Sequence, residues 1–322
     1  MNTRDIDAYL NTARATKGKN KGKKIDAETV KARRNFLSSY QEWMDSEGYD
    51  EWFEISPREV GYYMADLEDS GVFDVYNHLK ALVLFYDYLK QDNDKDNPAK
   101  IHAESSTYIK EYTKRKENGW DTGVTDGEFA KLLDNVGSRF SARNTLVLIL
   151  LGRVGLRRSE VTELTVGDVD YDRSPIKLRV PGTKSSPRTL LVPSRYKTRF
   201  RRWIEGGQRD SLMHAYDSDK LLLSSRKPEL SGGAIREIVH HTAQRAGIQE
   251  SMYEDASKQT RWRITPHQLR HYFGKREMSR TDGMDLKTLS EYMGHSSIEI
   301  TADLYGQMTE AERLKMYSNY IE

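Results

Sequence analysis

The sequence is 322 residues long, 37% hydrophobic and 31% charged, which is enough for two domains with separate cores and falls in the soluble globular range. A formal net charge of +2 is too small to imply nucleic acid by itself, and the lack of cysteine excludes disulfides, thiolate metal sites and cysteine nucleophiles. No apolar run reaches the roughly 20 residues that span a bilayer, and "MNTRDIDAYL" has none of the marks of a signal peptide, so a cytoplasmic protein without membrane contacts is expected.

In chain order, residues 11–24, "NTARATKGKNKGKK", hold six basic residues and no acid. This predicts a flexible basic arm over 1–25, with Lys17, Lys19, Lys21, Lys23 and Lys24 as candidate contacts to a phosphate backbone. A solvated tail is the bland alternative. Residues 26–100 read as a helical domain. Val30, Leu37, Tyr40 and Met44 form one apolar stripe at helical spacing, and Arg33 and Arg34 on the same segment are further phosphate candidates. In "SPREVGYYMADL", Ser56 is an N-cap, Pro57 takes the first helical position and Glu59 completes a capping box. "NHLKALVLFYDYLKQD" is apolar on most sides and predicts a central helix.

The polar stretch "KQDNDKDNPAK" then breaks the pattern, and 101–123 reads as a charged linker. A second domain, 124–322, starts where Thr125 and Glu128 form another capping box. "TLVLILLG" (145–152) suits a buried core helix. "PIKLRV" (175–180) and "RTLLVP" (188–193) predict a hairpin around the polar loop "PGTKSSP". "RYKTRFRRW" (195–203) is a second acid-free basic cluster, with Arg199, Arg201 and Arg202 as phosphate candidates. "GGAIREIVHHTAQRAG", "TPHQLRHYFGKREM", "DLKTLSEYMG", "IEITADLYGQM" and "EAERLKMYSNYIE" all follow in helical pattern. The expected fold class is mainly α, a helical first domain followed by a mixed α/β domain with a small antiparallel sheet.

Four places in the second domain hold groups that act on phosphates. Arg157 opens a helix in "GRVGLRRSEVTEL", and Lys184 lies in the hairpin loop. In "TPHQLRHYFG", His267 and Arg270 share a helix face at i, i+3. "MGHSS" supplies His295, and Tyr305 follows ten residues later. Singly, each has an ordinary reading: a surface arginine, a loop lysine, a hydrogen-bonded pair, one tyrosine among nineteen. In this order and spacing the six resemble the signature of the tyrosine recombinase or phage integrase family, of the Xer type.

The resemblance covers nearly the whole chain. It implies a SAM-like core-binding domain, "NPAK" at the domain junction, a catalytic domain and a C-terminal exchange helix. It further implies DNA cleavage and rejoining through a 3′-phosphotyrosine, with no metal, ATP or other cofactor. Tyr305 would be the nucleophile, Arg157 and Arg270 the phosphate-binding cations, Lys184 the general acid, His267 an aid to proton transfer and His295 a phosphate donor. Glu160 would orient an arginine or a histidine. Arg158, Lys177, Tyr317 and Tyr320 are the competing assignments. The implied partners are double-stranded DNA, gripped by both domains, and further copies of the chain in a tetramer. Two rivals remain: a type IB topoisomerase-like relaxase, separable by site specificity, and a catalytically inactive DNA-binding protein, separable by covalent capture.

Overall fold

The computed structural model describes residues 3–15, 21–70, 75–92, 94–105, 123–137, 139–182, 186–254, 260–280, 283–295, 298 and 302. The chain divides into two compact units, Met1–Gly119 with Met252–Arg261, and Trp120–Ser251 with Trp262–Glu322.

The first unit begins earlier than the sequence suggests. Thr3–Thr12 is a helix, α1, and Ile6, Tyr9, Leu10 and Ala13 bury a stripe at i, i+3, i+4 and i+7. This corrects the expectation of a flexible arm over 1–25. The apolar residues of the first thirteen anchor α1 to the core, and the lysine-rich part only follows it. Lys17 and Lys19 lie outside the described residues, whereas Lys21, Lys23 and Lys24 are exposed. α2 (Ala27–Glu47) starts at Asp26, whose carboxylate accepts from Thr29 N at 2.8 Å, and buries Leu37, Tyr40 and Met44. Arg33 donates to Tyr9 Oη at 2.7 Å and Arg34 pairs with Asp7 at 2.5 Å, so both arginines fasten α2 to α1.

α3 (Pro57–Asp69) carries the expected capping box of Ser56 and Glu59, and α4 (Val75–Leu89) is the buried central helix. α5 (Pro98–Ser105) corrects the boundary drawn at residue 100. Asn97 caps it by accepting from Lys100 N at 2.9 Å while donating to Val83 O and Asp87, and Ala99 and Ala103 pack on the first core. The helix thus runs five residues into the expected linker. Residues 106–122 lie outside the described residues.

In the second unit, α6 (Asp126–Asp134) has its Thr125–Glu128 capping box, and α7 (Ser141–Gly152) is buried along Ala142–Gly152. Each Leu, Ile or Val so enclosed contributes about 1.5–3 kcal/mol relative to exposure, which makes α7 the spine of this core. A short helix, α8, spans Arg158–Glu163. The hairpin forms as β2 (Ile176–Val180) and β3 (Arg188–Val192), antiparallel, with Ile176 opposite Val192 and Val180 opposite Arg188. Ile176, Leu178 and Val180 face the core, and Lys177 and Arg179 face out. A two-residue strand, β1 (Val169–Asp170), adds to β2. A second hairpin pairs β4 (Ser251–Glu254) with β5 (Thr260–Trp262), and most of it, Met252–Arg261, falls in the first unit. Neither addition was expected from sequence, because both strands of the second hairpin are short and lack an apolar alternation.

α9 (Lys197–Ile204) buries Phe200 and Trp203 and leaves Arg199, Arg201 and Arg202 exposed. α10 (Gly232–Arg245), α11 (Pro266–Met278) and α12 (Leu286–Met293) complete the described helices. Lys184, Tyr305 and the expected terminal helix with Tyr317 and Tyr320 lie outside the described residues.

Candidate active site

The site is built where α7 ends. Gly155 has φ +72°, and a Cβ there would stand 2.2 Å from Phe273 Cδ1, so only glycine permits this close approach of the chain to α11. The turn delivers Arg157 to the N-cap position of α8. Arginine has no acceptor to cap with. Glu160, at the third helical position, supplies the available half of the motif, accepting from Arg157 N at 2.8 Å.

Glu160 is fully buried and surrounded by guanidiniums. Its Oε1 accepts from Arg157 Nη1 at 3.1 Å and Arg188 Nη1 at 2.8 Å. Its Oε2 accepts from Arg188 Nη2 at 3.1 Å and stands 3.8 Å from Arg270 Nη1. Burial alone would raise its pKa, but the hydrogen bonds and charges of Arg188 and Arg157 outweigh that and hold it at about 2. The expectation that Glu160 orients an arginine or a histidine resolves to arginine.

α11 starts at Thr265, which accepts from Gln268 N, with Pro266 in the first turn. From this helix Arg270, 4% exposed, donates to Gly155 O at 2.5 Å and Met293 O at 2.7 Å. Burial and the neighbouring Arg157 lower its pKa to about 9, which leaves it charged at neutral pH. α12 ends at Gly294, in the left-handed region at φ +68°, and its last carbonyls would lack partners without the arginines. Arg188 Nε donates to Tyr292 O at 2.6 Å, Arg157 Nη1 to Met293 O at 3.3 Å and Arg157 Nη2 to Gly294 O at 2.6 Å. Three cations at a helix C-terminus match the negative end of its dipole. His295 comes next in the chain, held by its backbone N–H to Ser290 O at 3.0 Å.

The surroundings of the histidines favour their neutral form. Burial first, then the charges of Arg270 and Arg157, lower His267, and the same causes with Arg188 and His267 bring His295 to about 4. His267 Nε2 lies 2.6 Å from His271 Nε2, a distance that requires a single hydrogen between the rings. Burial, then the charge of His267, lower His271 to about 3. Among the described residues, the three guanidiniums around the one carboxylate leave two positive charges in excess. That balance suits a dianionic transition state such as a phosphodiester reaches under attack.

The structure therefore brings together Arg157, Glu160, His267, Arg270 and His295 from segments more than a hundred residues apart. Arg33 and Arg34 belong to the first unit, and the exposed arginines of α9 make no hydrogen bond to these five. Arg201 there pairs with Asp172 at 2.8 Å and lies 3.9 Å from Glu205, while Arg199 and Arg202 carry the exposed charge. Arg188 and His271 were missed in the sequence. His271 was visible as i+4 from His267, but nothing in "PRTLLVP" marks Arg188 as anything other than a strand terminus.

Residues 124–312 match the model of the phage integrase family, well over half of the chain. The chain is 25% identical over 301 residues to the tyrosine recombinase XerD of Oceanobacillus iheyensis, covering 92% of this chain and 93% of that one. It is 28% identical to the tyrosine recombinase XerA of Pyrococcus furiosus, over 60% of this chain and 59% of that one. Among solved structures, the fold is similar to the XerH site-specific recombinase bound to palindromic difH substrate. That match has TM-score 0.69, 15% identity, and coverage of 99% of this chain and 94% of that one. It is also similar to a lambda integrase dimer bound to a COC′ core site, with TM-score 0.66, 14% identity and 96% of each chain covered.

Proposed function

We propose, from the premise that the chain belongs to the phage integrase family of tyrosine-type site-specific recombinases, that it cleaves and rejoins DNA through a covalent bond between Tyr305 and a 3′-phosphate. The observation that carries this reading is the Arg157–Arg270 pair. Both guanidiniums are fixed by backbone carbonyls, and Arg157 also by Glu160, so they are oriented before a phosphate arrives, and preorganised donors of this kind are the largest contributors to charge-stabilising catalysis.

In the cleavage step the Tyr305 oxygen forms a bond to phosphorus as the bond to the 5′-oxygen breaks. Arg157 and Arg270 hold the non-bridging oxygens, and neutral His295 adds a hydrogen bond. The tyrosine proton passes toward His267, which is uncharged and able to accept it. When the hydrogen shared with His271 sits on His267 Nε2, Nδ1 carries the lone pair for this task. Lys184 returns a proton to the 5′-oxygen, and attack by a second 5′-hydroxyl reverses the sequence on a new partner. The DNA carries specific sites, and four copies of the chain assemble on two of them. Exposed Lys21, Lys23, Lys24, Arg199 and Arg202 supply sequence-independent phosphate contacts.

Covalent capture on a nicked suicide duplex tests the reading. The wild-type chain is expected to become linked to DNA and Tyr305→Phe is not. Undiminished capture by that variant would remove Tyr305 from the mechanism. Relaxation of supercoils without site preference by a monomer would instead favour the topoisomerase reading.

A further inference from the structure

Arg188 is the first residue of β3, four residues after Lys184, and its side chain is 12% exposed. Its guanidinium meets Glu160 end-on with two hydrogen bonds while Nε holds the carbonyl of Tyr292. Its side chain therefore joins the sheet to both halves of the phosphate site, the N-terminus of α8 and the C-terminus of α12.

We infer that Arg188 is a positioning residue for DNA cleavage, which neutralises Glu160 so that Arg157 and Arg270 remain available to the scissile phosphate. This inference rests on the function proposed above. The physical reason is competition. A fully buried carboxylate needs compensating charge, and breaking a buried ion pair leaves the remaining partner under a large desolvation penalty. Arg188 supplies the bidentate share, at 2.8 and 3.1 Å, whereas Arg157 gives one side-chain bond at 3.1 Å and Arg270 stands off at 3.8 Å. Without Arg188, Glu160 draws Arg157 and Arg270 inward, away from the position of the phosphate oxygens. The carbonyls at the end of α12 lose a donor in the same event, which loosens the turn that carries His295. Displacement of a catalytic group by about 1 Å costs on the order of 10²-fold in rate.

The test separates this role from an effect through the neighbouring Lys184 loop. Single-turnover capture is measured on nicked suicide duplexes bearing either the natural 5′-oxygen or a 5′-bridging sulfur at the scissile phosphate. A thiolate leaves without a proton, so a defect in general-acid delivery disappears on the sulfur substrate, and Lys184→Ala serves as that reference. Arg188→Met is expected to slow capture on the order of 10²-fold on both substrates alike, as Arg270→Ala does. Arg188→Lys, which keeps the charge but loses the two-pronged contact, is expected to recover only part of the rate. It also carries the test if Arg188→Met fails to fold, as judged by thermal melting. Adding Glu160→Gln to Arg188→Met is expected to restore rate relative to Arg188→Met alone, because the competing charge is gone. Wild-type rates for the Arg188 variants, or a defect abolished by sulfur, would overturn the assignment. Failure of the wild-type chain to capture either duplex would instead defeat the proposed function.

Discussion

The two units bury polar groups in different ways. The first unit hides neutral ones: Tyr86 donates to Trp52 O at 2.7 Å and lies 3.0 Å from Tyr40 Oη, and Tyr63 meets His78 Nδ1 at 2.9 Å. These phenols sit within an aromatic cluster of Tyr9, Tyr40, Trp52, Tyr63 and Phe85, where large side chains supply area and their polar tips find partners. The second unit hides charges, Glu160 and Arg270, at the edge of an aliphatic core. Neutral polar burial can be satisfied locally and serves stability. Ionic burial costs several kcal/mol per ion before pairing, and in the function proposed above it serves to hold two arginines toward a phosphate.

The contrast can be broken most severely at Glu160. Glu160→Ala leaves three guanidiniums crowded without their carboxylate, and a loss of about 3–5 kcal/mol in urea unfolding of the second unit is expected, together with loss of DNA capture. Next, Arg270→Ala is expected to lower the single-turnover capture rate on the order of 10²–10³-fold, with DNA affinity reduced far less. In the first unit the corresponding deletion is mild and purely structural. Tyr86→Phe should cost about 1–2 kcal/mol in urea unfolding and leave the capture rate of the folded protein unchanged.

Acid acts on both kinds of burial. Burial lowers His78 to about 4 in the folded first unit, so the unfolded chain binds more protons between about pH 6.5 and 4, and stability falls as pH falls through that window. Glu160, held at about 2 against an ordinary value near 4.5, contributes stability present above about pH 4.5 and lost as pH falls toward 2. His78→Phe should remove the first unit's share of the upper window and leave the share of His271 and His295, as followed by urea unfolding at a series of pH values. The smallest effect belongs to the exposed charges: Arg199→Ala or Arg202→Ala should reduce the salt slope of DNA binding by about one each, with no change in site preference.

Much of this was legible in residues. Ser56 and Glu59, Thr125 and Glu128, and Thr265 with Pro266 placed three helix starts correctly, because capping is a local interaction written within four residues. Arg157, His267, Arg270 and His295 were singled out because their order and spacing resemble a known signature, and the structure places the four near one another. α1 was missed although Ile6, Tyr9 and Leu10 have helical spacing, since the lysine-rich stretch after it dominated the composition of the first 25 residues. Asn97 and Pro98 were read as part of a break when they start α5, because a polar residue followed by proline serves equally in a loop and at a helix N-terminus. Arg188 was hidden for a deeper reason. Its role depends on a partner 28 positions away and a carbonyl 104 positions away, and no local pattern encodes either.

The most direct measurement of the central claim is covalent capture of a nicked duplex by four chains compared side by side: wild type, Tyr305→Phe, Arg157→Ala and Arg270→Ala. The account predicts capture by the wild type, none by Tyr305→Phe, and slowing on the order of 10²–10³-fold for each arginine variant while all four still bind DNA. Equal capture by the wild type and the two arginine variants would contradict it.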